Sequence, residues 1–344
     1  MEKIDNYTLI NYIPRSSDIG IVIVASTRKE YIIDAIKSAL RQNLDHFTFI
    51  VTVVKNFLDD EIDEFINKNN VNNVYTSDLS LGYKILLGTI LTNARIICFL
   101  EDDDFFMEHK LTYVYSRFKE NRDLIYYHNS VIPVDSENRV LTEWRKQENL
   151  ILMANSESNL KILLRLLKYG GGRNLSSISI SRDIILKNAG MFPNSTYNID
   201  YGILLLALSS GRPVLNSKDQ LTVYRIHSSA THMKSTSHNN FIDQKCRIQH
   251  ESIITLHNLS SFINSENPHI KGIYNLMLDQ YTIRSNFFCG AHLYISMRGY
   301  LSLFRYQYNI KNYLIYLILI LFRLKKLEKL RKKLLEHYKP ISNI

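Results

Sequence analysis

The chain has little cysteine and no arrangement of it that would build a structural site. Cys98, Cys246 and Cys289 are the only three in 344 residues, and no CxxC pair or His/Cys zinc spacing accompanies them. This excludes a disulfide scaffold or zinc module and predicts reduced thiols, as in a cytoplasmic protein. The first residues lack a basic segment followed by an apolar run and a small-residue cleavage site, so no secretory leader is expected. No GxGxxG turn follows a strand, and no P-loop, G-x-S-x-G elbow or H-E-x-x-H pair occurs, so the chemistries tied to those motifs have no support. No internal repeat is visible. Long apolar runs are missing too: Tyr313–Phe322 covers ten residues, about 15 Å of helix against a hydrocarbon core of about 30 Å.

Net charge is scarce in the body of the chain. From Tyr300 to Ile344 ten Lys or Arg stand against Glu328 and Glu336, so this tail holds +8 of the total +9. A nucleic-acid binder would spread basic residues over a folded face, so no nucleic-acid partner is expected. After Phe322 the tail turns amphipathic, with Leu324, Leu327, Leu330 and Leu334 on one side and basic residues on the others. Such a helix can lie in a membrane interface, drawn to anionic headgroups, or pack on protein, including a second copy of the chain. With 45% apolar and 22% charged residues the chain is an ordinary folded protein, long enough for one large or two modest domains.

Residues 1–17 read as a loosely held lead-in. Ile19–Ala25 is the apolar, β-branched signature of a strand buried on both faces. Thr27 and Glu30 stand at capping-box spacing, which predicts a helix from Ser26 onward with Ile32, Ile33, Ile36 and Leu40 on one side. Strands at Phe47–Val54, Asn73–Thr76 and Ile96–Leu100 alternate with helices holding Ile62, Phe65 and Ile66, and near Tyr83–Leu91. This rhythm predicts βαβ units of a parallel sheet, in which ligands bind at the carboxyl ends of the strands. Those ends carry Ala25–Arg28, Lys55-Asn56 and Glu101–Asp104. Beyond residue 123, short strands at Leu124–His128, Val131–Val134 and Arg139–Thr142 suggest a mixed-sheet extension. A helix (Ser158–Lys168), a strand (Ser176–Ser181), helices at Asp183–Asn188 and Asp200–Ser209, and a strand (Leu221–Ile226) follow; from about Asn239 the pattern is helical.

The segment Leu100-Glu101-Asp102-Asp103-Asp104-Phe105-Phe106 carries the strongest chemical signal. Four consecutive acids at the end of an apolar strand repel one another and raise one another's pKa. A divalent cation would relieve this, and hard oxygen ligands suit Mg²⁺ or Mn²⁺; a solvated acidic loop is the plainer alternative. Gly170-Gly171-Gly172 is either a flexible stop or a mobile loop that lets substrate approach the backbone. Asp200 opens an apolar helix, where capping is the default role. Arg225 and His227 fall on one side of a strand by two-residue alternation.

Taken in order, these segments resemble the family 2 glycosyltransferases of the GT-A fold. Val22–Arg28 looks like that family's first strand and its proline-threonine-tyrosine-asparagine-like end, and Ala35–Gln42 is similar to the helix that follows. Ser80-Leu81-Gly82 matches a small glycine-containing turn, Leu100–Asp104 the acidic metal motif, and Gly190–Pro193 a glycine-phenylalanine turn. Asn198–Tyr201 falls at the acid-aspartate pair, and Tyr224–Ser229 is similar to the arginine-x-histidine segment. The likeness spans roughly residues 18–235. It implies an α/β fold with a mostly parallel mixed sheet flanked by helices: a catalytic domain over 18–238 and a helical region over 239–344.

It also implies roles. Asp200 would be the catalytic base. Ala25, Ser26, Thr27, Arg28, Glu30, Lys55, Asn56, Gly82, Lys84, Asp102, Asp104 and Arg225 would bind a nucleotide-sugar donor. Glu101, Asp103 and His227 would hold Mn²⁺ or Mg²⁺, with His227 alternatively on the diphosphate. Gly170, Gly171, Gly172 and Arg173 would border the acceptor, a lipid-linked or surface glycan, and transfer would invert the anomeric carbon at the cytoplasmic face of the cell membrane. The chain departs from the pattern at Lys55-Asn56, where relatives have an aspartate pair, at Glu101 in place of aspartate, and at Ile199 in place of an acid. The alternatives are a catalytically silent membrane assembly subunit and a nucleotidyltransferase; the latter would be expected to carry glycine after the first strand, and Ala25–Arg28 has none.

Overall fold

The computed structural model describes residues 7–43, 46–141, 152–155, 158, 160–168, 170–227, 238–263 and 266–290. The first half runs β1 (Tyr7–Asn11), β2 (Ser16–Ala25), α1 (Ile32–Leu40), β3 (Phe49–Lys55), α2 (Asp60–Lys68), β4 (Asn72–Thr76), α3 (Leu81–Leu91) and β5 (Asn93–Glu101). The second half holds β6 (Phe105–Phe106), α4 (Lys110–Glu120), β7 (Tyr126–Val134), β8 (Leu152–Ala154), α5 (Leu160–Lys168), β9 (Ile178–Ser181), α6 (Arg182–Lys187), α7 (Ile199–Ser209) and β10 (Val214–Arg225). Two long helices follow, α8 (His238–Leu259) and α9 (Pro268–Cys289).

All strands join one mixed sheet, in the order β1-β4-β3-β2-β5-β9-β7-β10-β6, with β8 beside β10. The β4-β3-β2-β5 half is parallel, as the alternation of strands and helices predicts. β9 enters antiparallel to both β5 and β7, while β7 and β10 run parallel to each other. The β-branched run in β2 is buried on both faces for a visible reason. Val22 and Val24 face a core with α3 and α5 to α9, and Ile21, Ile23 and Ala25 face one with α1, α2 and α4. Parallel strands covered by helices on both sides need apolar residues at every position.

Several expectations shift. Residues 7–11, inside the expected lead-in, form an edge strand antiparallel to β4. Helix α1 starts at Ile32 with Tyr31 before it and no side-chain cap. The predicted capping box does not form, because Ser26 and Arg28 bind Asp102, and Lys29 pairs with Asp59 at 2.8 Å. The two short strands read across 124–134 are one strand, β7, and the strand expected over 139–142 is reduced to a single bridge between Val134 and Val140. Leu256, Leu259, Ile270, Ile273 and Met277 of α8 and α9 belong to the same core as α7, so these two helices complete one face of the sheet. Cys246 on α8 and Cys289 on α9 are joined in a disulfide with Cα atoms 5.0 Å apart, which overturns the expected reduced thiols for that pair. Cys98 alone is free, and it is buried. The apolar run and basic tail lie outside the described residues. Among the described residues no helix is long and apolar enough to cross a membrane.

Candidate active site

β5 delivers the acids. Ile96 to Leu100 are fully buried, and the chain turns sharply after Glu101, where Asp104 N–H returns to Glu101 O at 3.3 Å. Asp102, 2% exposed, accepts from Ser26 N–H at 3.0 Å and from Arg28 Nη2 at 2.5 Å. Asp103 Oδ2 lies 2.5 Å from Arg28 Nη1 and 3.1 Å from His227 Nε2. Asp104 points inward and accepts from Asn174 Nδ2 at 2.9 Å and from Arg225 N–H at 3.1 Å. Glu101 donates its N–H to Ser176 Oγ at 3.0 Å.

The four carboxyls are therefore inequivalent. Burial, and then the charges of Asp103, Asp104 and Asp200, push the Glu101 carboxyl far above its ordinary range. Burial and the neighbouring Asp103 push Asp104 up to about 7. Burial also raises Asp102, against the opposing charge of Arg28. Burial acts the same way on Asp103, but the His227 hydrogen bond and the Arg28 charge outweigh it and hold that carboxyl below its usual value. Asp103 is thus the one acid of the turn whose charged form its surroundings favour, and Arg28 is a counter-charge to both Asp102 and Asp103.

Among the described residues no three His, Cys, Asp or Glu side chains are arranged to hold a metal ion. Asp103 Oδ2 and His227 Nε2, however, are 3.1 Å apart. Neighbouring ligands of an octahedral ion with bonds of about 2.1 Å stand roughly 3 Å apart, and such ions commonly take few protein ligands and complete their shell with phosphate oxygens. The Asp103–His227 pair fits a divalent cation on this criterion once the Arg28 guanidinium leaves it.

Asp200 occupies the second residue of α7. It is not the cap: Asn198 precedes the helix in a left-handed conformation (φ 56°) without a side-chain cap bond. Instead the Asp200 carboxylate accepts from Tyr201 N–H at 2.9 Å, with the backbone of Asn174 close by. Burial pushes it up to about 6 against these hydrogen bonds. The glycine segment before Asn174 is pinned. Tyr126 donates to Gly171 O at 2.7 Å, His128 Nε2 meets Arg173 O at 2.6 Å, and Arg173 Nε donates to Tyr201 OH at 3.0 Å. A Cβ on Gly172 would come within 2.8 Å of the Tyr201 ring. The three glycines are buried, so the mobile-loop expectation gives way to a fixed turn whose exposed member is Arg173.

The other sequence-derived residues divide. Lys84 Nζ donates to Ala25 O at 3.0 Å and Ser26 Oγ at 2.8 Å, and burial lowers it to about 8. Ser26 and Thr27 are exposed beside this cluster, and so is Glu30, which makes no ion pair among the described residues. Lys55 is buried and spoken for, by Asp63 at 2.7 Å and Phe57 O at 2.8 Å; Asn56 Oδ1 is buried without a partner. A Cβ on Gly82 would lie 2.1 Å from Phe192 O, so this glycine serves the packing of α3 on the turn at 190–195. Arg225 touches the acids through its backbone, while its guanidinium stacks on Tyr31 at 4.1 Å and reaches Asp34 at 3.2 Å. A cavity of about 430 Å³ meets the site only at Arg225 and Phe105.

Sequence reasoning missed Asn174, Ser176 and Lys110. Asn174 lies between both halves of the site, with its side chain on Asp104 and its backbone beside Asp200, at a positive φ of 62° more often taken by asparagine than by other side chains. Its place after three glycines was the available signal. Lys110 is fully buried, bonds Ser176 O at 2.5 Å and Thr222 Oγ1 at 2.9 Å, and is lowered to about 7 by burial. Nothing in its sequence neighbourhood announces this.

The chain is thus an α/β protein whose mixed sheet is covered by helices on both faces, with an acid turn at the carboxyl end of β5. The structure is similar to S. aureus TarS 1-349 in complex with UDP-GlcNAc, with a TM-score of 0.52 at 15% identity over 78% of this chain and 72% of that one. It is likewise similar to S. aureus TarS 1-349 without a named ligand, with a TM-score of 0.50 at 13% identity over 83% of this chain and 78% of that one. No protein-family model and no curated protein sequence matches the chain.

Proposed function

We propose that this protein transfers a sugar from a nucleotide-sugar donor to an acceptor hydroxyl, in the manner of the family 2 glycosyltransferases. The observation that carries the proposal is the convergence at Asn174, whose side chain holds Asp104 of the acid turn while its backbone adjoins Asp200, a half-buried carboxyl pushed up to about 6. The similarity of fold to a protein solved with UDP-GlcNAc supports a donor of that class.

In this reading the donor diphosphate lies against Ser26, Arg28, Lys84 and His227, where cations and N–H groups can meet its oxygens. Asp200 accepts the proton of the acceptor hydroxyl as that oxygen attacks, which requires a carboxylate whose pKa lies near the working pH. Tyr201 orients that carboxylate through its N–H group. Arg173, exposed beside it, borders the acceptor. Mn²⁺ or Mg²⁺ on Asp103 and His227, when bound, would neutralise charge on the departing diphosphate. Attack from the face opposite the diphosphate would invert the anomeric centre. The basic amphipathic tail supports an acceptor at a membrane surface, lipid-linked or on a surface glycan. A reducing compartment no longer has unpaired thiols as its support, since Cys246 and Cys289 are bonded.

A thermal-shift screen of nucleotide sugars, with and without Mn²⁺, tests the reading. It stands if one class raises the melting temperature and is then turned over by wild type but not by Asp200→Asn. It fails if no nucleotide sugar shifts melting.

A further inference from the structure

At the opposite end of β5 from the acids lies a second charged feature that the transfer reaction does not use. A cavity of about 380 Å³ opens where β5 begins, roughly 25 Å from Glu101 along the strand. Four arginines converge on it from four elements: Arg95 from the start of β5, Arg122 from the turn after α4, Arg182 from the start of α6 and Arg212 from the turn between α7 and β10. The walls are held by main-chain bonds, Ile125 N–H to Pro213 O at 3.1 Å and Ser181 N–H to Ile125 O at 2.8 Å.

Arg182 is fixed from behind. Its Nε and Nη2 donate to Thr89 O at 3.0 Å and Ile90 O at 2.9 Å. The guanidinium groups of Arg95, Arg122 and Arg212 make no ion pair or hydrogen bond among the described residues; Arg212 bonds Ser210 Oγ only through its backbone N–H. The one acid in the lining, Asp183, is paired with Lys187 at 3.0 Å. Phe118, Leu124 and Ala94, all buried, form an apolar floor. Like charges gathered in a concavity repel one another unless an anion joins them; planar guanidinium forks match phosphoryl and carboxylate oxygens, and a phosphoryl group, with three oxygens and up to two charges, can meet several guanidinium groups at once. Because the body of the chain is otherwise near neutral, this concentration of positive charge is local.

We propose that this cavity binds a small phosphoryl-bearing molecule, with its phosphoryl oxygens on Arg95, Arg122 and Arg212 and its organic part on the Phe118–Leu124 floor. The site is independent of the donor site, and the proposal does not rest on the transfer reaction. Free phosphomonoesters and phospholipid headgroups share this chemistry, and the experiment separates them.

Calorimetric titration of the full chain with phenyl phosphate, and with inorganic phosphate for comparison, should show saturable binding that is tighter for phenyl phosphate. Arg95→Gln, Arg122→Gln and Arg212→Gln should each weaken it about tenfold, the loss of one charge-assisted contact. Arg95 and Arg122 are exposed, so their variants should melt as wild type without ligand; Arg122→Lys, which keeps charge but not the fork, should fall between. Flotation with phosphatidylglycerol vesicles, compared with phosphatidylcholine, decides the source. Arginine-dependent flotation assigns a headgroup, and arginine-dependent titration without such flotation assigns a free phosphomonoester. Equal phenyl phosphate affinity in wild type and all variants, or no saturable binding together with arginine-independent flotation, overturns the proposal.

Discussion

Asp200 and Arg28 are the residues on which the proposed chemistry turns. Burial lifts the Asp200 carboxyl to about 6 from an ordinary value near 3.9. A base must be unprotonated, so the transfer rate should fall about tenfold per pH unit below roughly pH 6, as a kcat–pH profile would show. The sign for stability is opposite. A folded-state pKa above the unfolded one means that the native state binds the proton more tightly, so the charge is a burden at pH 7 that lifts as the pH falls through 6 toward 4. Asp200→Asn should therefore lose turnover yet melt at or above the wild-type temperature; a variant that keeps turnover would remove Asp200 from the chemistry. Arg28 and a divalent cation would compete for Asp103. Electron paramagnetic resonance of free Mn²⁺, without nucleotide, should show Arg28→Gln binding the ion about tenfold tighter than wild type, the size expected when one competing charge leaves a partly buried carboxylate. Asp103→Asn should bind it more weakly than either. Equal affinity in wild type and Arg28→Gln would show that Arg28 does not guard the seat.

Elements differ in what holds them. β2 and β5 are locked by burial on both faces, and α1 starts without a side-chain cap while Ser26 and Arg28 before it reach the acids. α8 and α9 cover one face of the core and are stapled by Cys246–Cys289, 43 residues apart. Closing a loop of that length contributes about 2–4 kcal/mol. Cys289→Ser should lower the denaturant midpoint by a corresponding amount without changing the acid turn, which no residue of α8 or α9 touches through a hydrogen bond among the described residues. A midpoint equal to that of wild type would mean that the packing of Ile270, Ile273 and Met277 alone secures the helices.

The whole molecule separates charge by location: carboxylates at one end of β5, arginines at the other, and most of the net charge in the tail beyond the described residues. The tail contributes none of the site residues, so a chain ending at Tyr308 should melt as the intact protein does and keep nucleotide-sugar binding. The same truncation should abolish salt-sensitive flotation with anionic vesicles, because such attraction is screened within about 10 Å at 0.1 M salt. Aggregation or early melting of the truncated chain, with no flotation by the intact one, would assign the tail to packing on protein instead.

Much of the fold was legible because strands and helices write their burial into the sequence. Ile19–Ala25 and Ile96–Leu100 announce strands covered on both faces by unbroken apolar runs, and Glu101–Asp104 announce the turn that ends β5 by the abruptness of the change. Tertiary structure alone decided in which direction each of the four acids is shifted, because that depends on Arg28 and His227 arriving from distant parts of the chain. It also decided that Lys55 is held by Asp63 and Phe57, that Gly82 serves packing, that Asn174 bonds Asp104 beside Asp200, that Lys110 is buried, and that Cys246 meets Cys289. Periodicity is a local property readable within a dozen residues. A pKa, an ion pair or a disulfide depends on the distance between groups that only the folded chain brings together.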